Sequence, residues 1–298
     1  MPQPIIEPFF DAATFTLTYL VHDPQSQDAV IIDPVLDFDP NSGRTSTQTS
    51  DRLAARVREL GLRVHYVLET HAHADHLSGS QYLKRLFGAQ VAIGERIREV
   101  QAVFAPLFAL DVPTDGSQFD RLLHDGETID AGTLRLRTIA TPGHTPACVS
   151  YHLPAAAAVF TGDAVFIEDT GTGRCDFPRG DAAALYDSVH DRLYALPPDT
   201  QLYVGHDYQP DGRPLRFVTT VAREREANVH LRQQTTKLDF VALRTARDRT
   251  LAAPRLLLPS VQVNIDAGRL PEADSAGRRY LRLPINLGAT TNRDGTPA

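Results

Sequence analysis

Thr70-His71-Ala72-His73-Ala74-Asp75-His76 crowds three histidines and one aspartate into six positions. The run before it, Val64-His65-Tyr66-Val67-Leu68-Glu69, reads as a buried strand. Residues 77–87 read as a helix, so the cluster falls on a strand-to-helix loop. In a locally extended segment His71 and His73 project to the same side, and Asp75 and His76 follow at the turn. Imidazoles and a carboxylate converging from one loop are what a divalent transition metal binds.

Upstream of that loop, residues 15–21 and 29–33 read as neighbouring strands, the second ending in a turn at Asp33-Pro34. Residues 37–49 read as a loop. Ser50 is placed to cap a helix over 51–60 that Gly61 ends. Downstream, residues 90–93 read as a strand and 95–109 as a helix broken at Pro106. Short strands are expected at 127–129, 134–139, 147–153, 158–160 and 201–204, and helices at 182–196, 217–231 and 240–251. The tail from Ala253 carries Pro254, Pro259, Pro271 and Pro284 and reads as extended and irregular. Two β-rich halves, each with helices, imply two sheets packed on each other with helices outside.

Composition narrows the function classes. The 298 residues are 42% hydrophobic and 22% charged, which suits one large α/β domain with a sizeable core. The expected organisation is a single domain over 1–298 with a helical and extended tail from about residue 215. A net charge of -7 argues against nucleic acid as the main partner. No apolar run is long enough for a membrane span. Met1-Pro2-Gln3-Pro4 has no basic segment followed by an apolar one, so a secretory signal is not expected. Two cysteines, Cys148 and Cys175, make no disulfide framework, and a reducing cytoplasm is the expected setting. Oligomeric state is not readable, a homodimer being one arrangement such a chain adopts.

Three further ligand candidates stand at expected strand ends, each beside a glycine that lets the backbone turn sharply. They are His144 in Pro142-Gly143-His144-Thr145, Asp163 in Thr161-Gly162-Asp163 and His206 in Gly205-His206-Asp207. These seven side chains permit two centres. His71, His73 and His144 with Asp75, His76 and His206, bridged by Asp163, would hold two zinc ions sharing a hydroxide, the arrangement of a hydrolase. His71, His144 and Asp163 alone make a two-histidine, one-carboxylate set with open positions, suited to non-haem ferrous iron. Spacing does not separate these readings, and the ligands alone favour zinc hydrolysis.

The ordered set His-x-His-x-Asp-His, Pro-Gly-His-Thr, Gly-Asp and Gly-His-Asp, spanning His71 to His206, resembles the metallo-β-lactamase superfamily. That resemblance implies an αβ/βα sandwich of two mixed sheets with outer helices and metals at one sheet edge. The loop Gly171-Thr172-Gly173-Arg174-Cys175-Asp176-Phe177-Pro178 looks like the Gly-x-x-Arg-x-Asp-Phe loop of persulfide dioxygenases. Glyoxalase II, a glutathione-thioester hydrolase of the same fold, has a related loop but usually lacks the aspartate two residues after the arginine. The tail segments Glu226-Ala227-Asn228-Val229-His230-Leu231, Phe240-Val241 and Leu258-Pro259, with Asn264 and Gly268, are also similar to the dioxygenases. Some of those enzymes carry a cysteine where Thr172 stands, and a redox role for that position does not carry over.

The dioxygenase resemblance implies one Fe(II) per chain on His71, His144 and Asp163, oxidising glutathione persulfide with O₂ to sulfite and glutathione. His73, Asp75, His76 and His206 would then hydrogen-bond the ligands or water, and Tyr208 would place a hydroxyl near the reacting atoms. Arg174 would either pair with a glutathione carboxylate or form a salt bridge to Asp176 or Asp163. Cys175 is expected to be a buried, inert thiol and Cys148 a core residue. The alternative is a dizinc hydrolase of glutathione thioesters, with the same seven residues as ligands.

Overall fold

Alternation with a period of two, buried on both faces, sets the first sheet. In a computed structural model, which describes residues 3–286, the chain begins with β1 (Ile5–Asp11), β2 (Thr16–His22) and β3 (Asp28–Ile32). Then come β4 (Val35–Asp39), β5 (Arg44–Ser46), α1 (Gln48–Glu59), β6 (Arg63–Leu68), β7 (Leu77–Ser78), α2 (Ser80–Phe87), β8 (Gln90–Gly94), α3 (Ile97–Leu107) and β9 (Arg121–Leu123). The second half holds β10 (Thr128–Ala131), β11 (Leu134–Ala140), β12 (Val149–Leu153), β13 (Ala158–Gly162) and α4 (Ala182–Asp187), which runs on into a π-helical turn at Ser188–Leu193. It closes with β14 (Gln201–Val204), β15 (Val218–Thr220), α5 (Val221–Ala227), α6 (Lys237–Asp248) and α7 (Leu257–Asn264). Met1, Pro2 and the last stretch of the tail, 287–298, lie outside the described residues, and so do the readings that fell on them.

The two large sheets run β1-β2-β3-β6-β8-β9 and β10-β11-β12-β13-β14-β15. The first is parallel from β3 to β9 and antiparallel before it, while the second is antiparallel except for the β13–β14 pair. Leu17, Tyr19, Val21, Val30 and Ile32 of the first sheet meet Leu136, Tyr151 and Phe160 of the second in the central core. Their alternates, Leu20, Ala29 and Ile31, face outward onto α1, α2, α3 and α7. On the far side, Val159 and Leu202 are covered by α4, α5 and α6. The central strands of both sheets are covered on both faces and read as nearly continuous apolar runs, while β10 and β11 alternate buried and exposed residues. The architecture is the expected αβ/βα sandwich.

Several local expectations are corrected. The segment 37–49, expected as a loop, contains most of a hairpin, β4–β5, that joins β7 in a small third sheet. Helix α1 starts before Ser50, whose hydroxyl donates instead to Val35 O at 2.8 Å, while Asp37 accepts the Thr49 N–H at 3.1 Å. The helix expected over 217–231 divides into β15 and α5, because Val218, Thr219 and Thr220 favour a strand and Thr220 caps the helix through Arg223 N. The tail expected to be irregular holds α7, with Pro259 in the first turn, where its missing N–H costs no helical bond. Among the described residues no helix is long and apolar enough to cross a membrane.

Candidate metal centre

Ligand candidates leave the ends of strands from both sheets. The 71–76 loop follows β6, His144 lies between β11 and β12, Asp163 follows β13 and His206 follows β14. Gly162 makes the turn into Asp163 at φ +51°, where a Cβ would stand 2.5 Å from Thr70 Oγ1. Val149 N donates to Thr70 O at 2.9 Å, and Tyr151 OH donates to Glu69 O at 2.7 Å. These bonds tie the second sheet to the end of β6.

His71, His144 and Asp163 bring one ligand atom each to within 4.8 Å of one another, and all three are buried. Asp163 Oδ2 lies 3.6 Å from His144 Nε2 and 4.0 Å from His71 Nε2. The opposite ring nitrogens are held. His144 Nδ1 donates to Arg174 O at 2.7 Å, and His206 Nδ1 donates to Phe15 O at 3.2 Å. His71 Nδ1 meets Thr70 Oγ1 at 3.0 Å, and that hydroxyl in turn donates to Asp33 Oδ2. Pinning Nδ1 as the donor leaves the Nε2 lone pair facing the centre, as metal-binding imidazoles require. His71 Nε2, both ring nitrogens of His73, His76 Nε2 and Asp163 Oδ1 are buried with no hydrogen-bond partner. Orphaned buried groups of this kind, imidazole nitrogens beside a carboxylate oxygen, fit a bound transition metal. Burial, then the neighbouring His73 and His144, hold His71 well below the usual imidazole pKa, which favours its neutral, ligating form.

His73 departs from this arrangement. Its Nε2 sits 3.0 Å from Asp33 and 3.4 Å from Glu69, and Ser78 and Ser80 both donate to Glu69. Burial opposes charge on His73, but the two carboxylates outweigh it and raise its pKa well above the usual value. Asp75 lies against His76 at 3.1 Å and His206 at 3.4 Å. Burial works against its ionisation too, and His206 and His76 overcome that and hold it well below the usual carboxylate range. His73, Asp75 and His76 also come within 4.8 Å of one another. His206 is 3.4 Å from Asp163 Oδ1, on the far side of that carboxylate from His144.

Tyr208 stacks on His206 with ring centroids 5.6 Å apart and faces the cavity above the centre beside Phe15 and Phe166. Arg174 is not open to that cavity as a free cation. Its guanidinium closes on Asp176 with two bonds of 2.6 and 2.7 Å and donates to Ala252 O at 2.7 Å. This is the salt bridge to Asp176 that was one of the two expectations, and the same side chain lines the cavity. Cys148 and Cys175 are free and buried, and burial pushes both thiols up, Cys148 to about 12.

Other residues of the centre carried no clear signal in the sequence. Asp33 and Glu69 looked like a turn residue and a strand end, yet both carboxylates lie within 3.4 Å of His73 Nε2. Asn264 on α7 donates to His73 O and His76 O and accepts from Ser78 N, each at 2.8 Å. It holds the backbone of the metal loop from a helix nearly two hundred residues away. Arg213 bridges Asp169 and Asp207 and so links the loops that follow Asp163 and His206.

Two facing sheets with outer helices, and histidines and carboxylates gathered where the strand ends meet, define a metal-binding αβ/βα sandwich. The description of the metallo-beta-lactamase superfamily matches residues 12–206, and the chain belongs to that superfamily. It is 53% identical over 291 residues to a probable metallo-hydrolase of Burkholderia pseudomallei, across 94% of this chain and 99% of that one. A protein of Dictyostelium discoideum named Glyoxylase B2 is 46% identical, across 94% of this chain and 97% of its own. The mitochondrial persulfide dioxygenase ETHE1 of Homo sapiens is 37% identical over 227 residues, 76% of each chain. Among solved structures, ETHE1 from Myxococcus xanthus superposes with a TM-score of 0.72 at 32% identity, covering 89% of this chain and 100% of that one.

Proposed function

We propose that the chain is a non-haem iron persulfide dioxygenase with one metal held by His71, His144 and Asp163. The observation that carries this reading is the position of His73. His73 Nε2 lies 3.0 Å from Asp33, outside the group gathered at Asp163 Oδ2, which is two histidines and one carboxylate. That set, with its open positions, suits non-haem ferrous iron. Similarity to the human persulfide dioxygenase supports the same choice.

Iron held by His71, His144 and Asp163 would supply the redox chemistry of the reaction, in which glutathione persulfide, O₂ and water give glutathione, sulfite and two protons. The chain's own residues orient and exclude. The Arg174 carbonyl fixes the His144 ring, and the Phe15 carbonyl fixes His206. Phe15 and Phe166 present apolar faces to the cavity and keep bulk water from the reacting sulfur. Tyr208, stacked on His206, brings a phenol to the same wall, where it can donate a hydrogen bond to the bound persulfide or to oxygen.

Protein purified without oxygen should carry close to one iron per chain and take up O₂ when given glutathione persulfide. A second reading, a dizinc hydrolase of glutathione thioesters, draws on the His73, Asp75 and His76 group and on the likeness to Glyoxylase B2. Two zinc ions per chain, with thioester cleavage tracking zinc content, would sink the dioxygenase reading in favour of this one.

A further inference from the structure

The buried face of α6 is Phe240, Arg244 and Asp248, one residue per turn. Arg244 is 1% exposed and Asp248 4%, and they pair at 2.8 and 2.5 Å. Taking two charges out of water costs free energy that an apolar pair does not, and such a replacement is often neutral or stabilising. Stability alone does not account for the pair, and its other partners do. Arg244 Nη1 donates to Thr172 O at 3.1 Å, and Asp248 Oδ2 accepts the Cys175 N–H at 2.8 Å. The pair thus grips both ends of Thr172-Gly173-Arg174-Cys175.

His230 takes hold of the same segment, accepting the Thr172 N–H on Nδ1 at 3.0 Å. That bond needs a lone pair on Nδ1, so the ring proton sits on Nε2. Burial, then Arg244 and Arg247, push His230 down to about 4, which keeps the ring neutral. Asn228 fixes His230 in turn, accepting the His230 N–H at 2.9 Å and donating to Gly171 O at 3.2 Å. Between these grips the segment meets two residues of the centre. Gly173 N donates to Asp163 O at 3.2 Å, and a Cβ on Gly173 would collide with that oxygen. Arg174 O accepts from His144 Nδ1 at 2.7 Å. Among the described residues no hydrogen bond joins His230, Arg244 or Asp248 to His144 itself, so what they do to it passes through the segment.

We propose that His230 and the Arg244–Asp248 pair are positioning residues for the metal ligand His144. They hold residues 172–175 so that Arg174 O stays on His144 Nδ1 and the Nε2 lone pair stays on the centre. His144 is a ligand in both readings of that centre, so this role rests on the metal site and not on the choice of reaction. Freeing the ring should weaken metal binding about 10- to 100-fold, as losing the group behind a ligand does.

Cobalt(II) titrated into the metal-free full chain reads affinity and, through its absorption spectrum, ligand geometry. His230→Leu removes the acceptor, and His230→Asn returns an oxygen where Nδ1 stood. R244M/D248L removes the pair without leaving a lone buried charge. Leu53→Ala, in the core beneath α1, is the control for stability lost elsewhere. His230→Leu and R244M/D248L should bind cobalt(II) about 10- to 100-fold more weakly and with an altered spectrum, and His230→Asn should recover most of the loss. Leu53→Ala should melt lower as metal-free protein and bind cobalt(II) as the parent does. Either of the first two variants carries the test if the other fails to fold. Parent-like affinity and spectrum in His230→Leu and R244M/D248L would overturn the proposal. So would an affinity loss that follows melting temperature alone, the control included. Two zinc ions per parent chain with thioester cleavage would sink the dioxygenase reading and leave the positioning role standing. O₂ uptake by the iron-loaded parent, with cobalt(II) binding unchanged in the variants, would do the reverse.

Discussion

Asp163 and His206 look alike in the sequence, each an expected ligand beside a glycine at a strand end. Their surroundings differ. Asp163 Oδ2 faces His144 and His71, while His206 reaches only the other oxygen of that carboxylate and Asp75. Asp163→Ala removes the one anion of the three-residue set and should abolish metal binding. His206→Ala should keep most of the metal and lose activity by about 10- to 100-fold, as groups that support ligands do. Metal analysis of the two purified variants checks this, and equal loss would make His206 a direct ligand. The histidines and Asp163 were legible because ligand chemistry confines residue types and spacing. The position of His73 was not, since it depends on Asp33 from one strand end and Glu69 from another.

Helix α7 shows why elements with few sequence signals matter to the centre. Pro254 and Pro259 made residues 253–265 look irregular, and a proline in a first helical turn cannot be told by composition from one in a loop. Tertiary packing decided the matter, with Val261 and Ile265 joining the core outside the first sheet. The helix delivers Asn264 to the metal loop, where its amide satisfies two carbonyls and one N–H in a buried setting. Asn264→Ala would leave those three groups unpaired and should cost about 2–4 kcal/mol. Urea unfolding of the metal-free chain measures that loss directly. Asn264→Asp keeps the acceptor but loses both donations, so it should fall no nearer the parent than the alanine variant. A fully stable alanine variant would show that water replaces the amide.

Across the whole molecule, the two-sheet sandwich was readable because two β-rich halves, each with helices, follow one another along the chain. The pairing of β13 with β14 in parallel, across the intervening α4, was not, since sheet order depends on contacts far apart in sequence. Under the second sheet, Glu224 lies fully buried and accepts from Asn228 at 2.6 Å. Burial, reinforced by Glu168 and opposed by Asn228, Thr219 and Arg216, pushes its pKa from 4.5 up to about 8. Between those values the folded chain holds a proton that the unfolded chain has lost, so Glu224 makes stability fall as pH rises through this window. The melting temperature should therefore decline from pH 5 to pH 8.5 more steeply in the parent than in Glu224→Gln, by several degrees, on the order expected for about 4 kcal/mol. Parallel curves would place the proton elsewhere.

His71 leaves β6 of the first sheet, and Asp163 leaves β13 of the second. An ion gripped by both closes the intervening chain into a ring threaded through the two halves of the sandwich. Such closure limits the unfolded ensemble in the way a cystine bridge does. This protein leaves both of its cysteines free and buried. Its one cross-link between the sheets would be a reversible one, fastened when metal is plentiful and undone by a chelator, so that metal supply sets how tightly the molecule is sewn as well as whether it works.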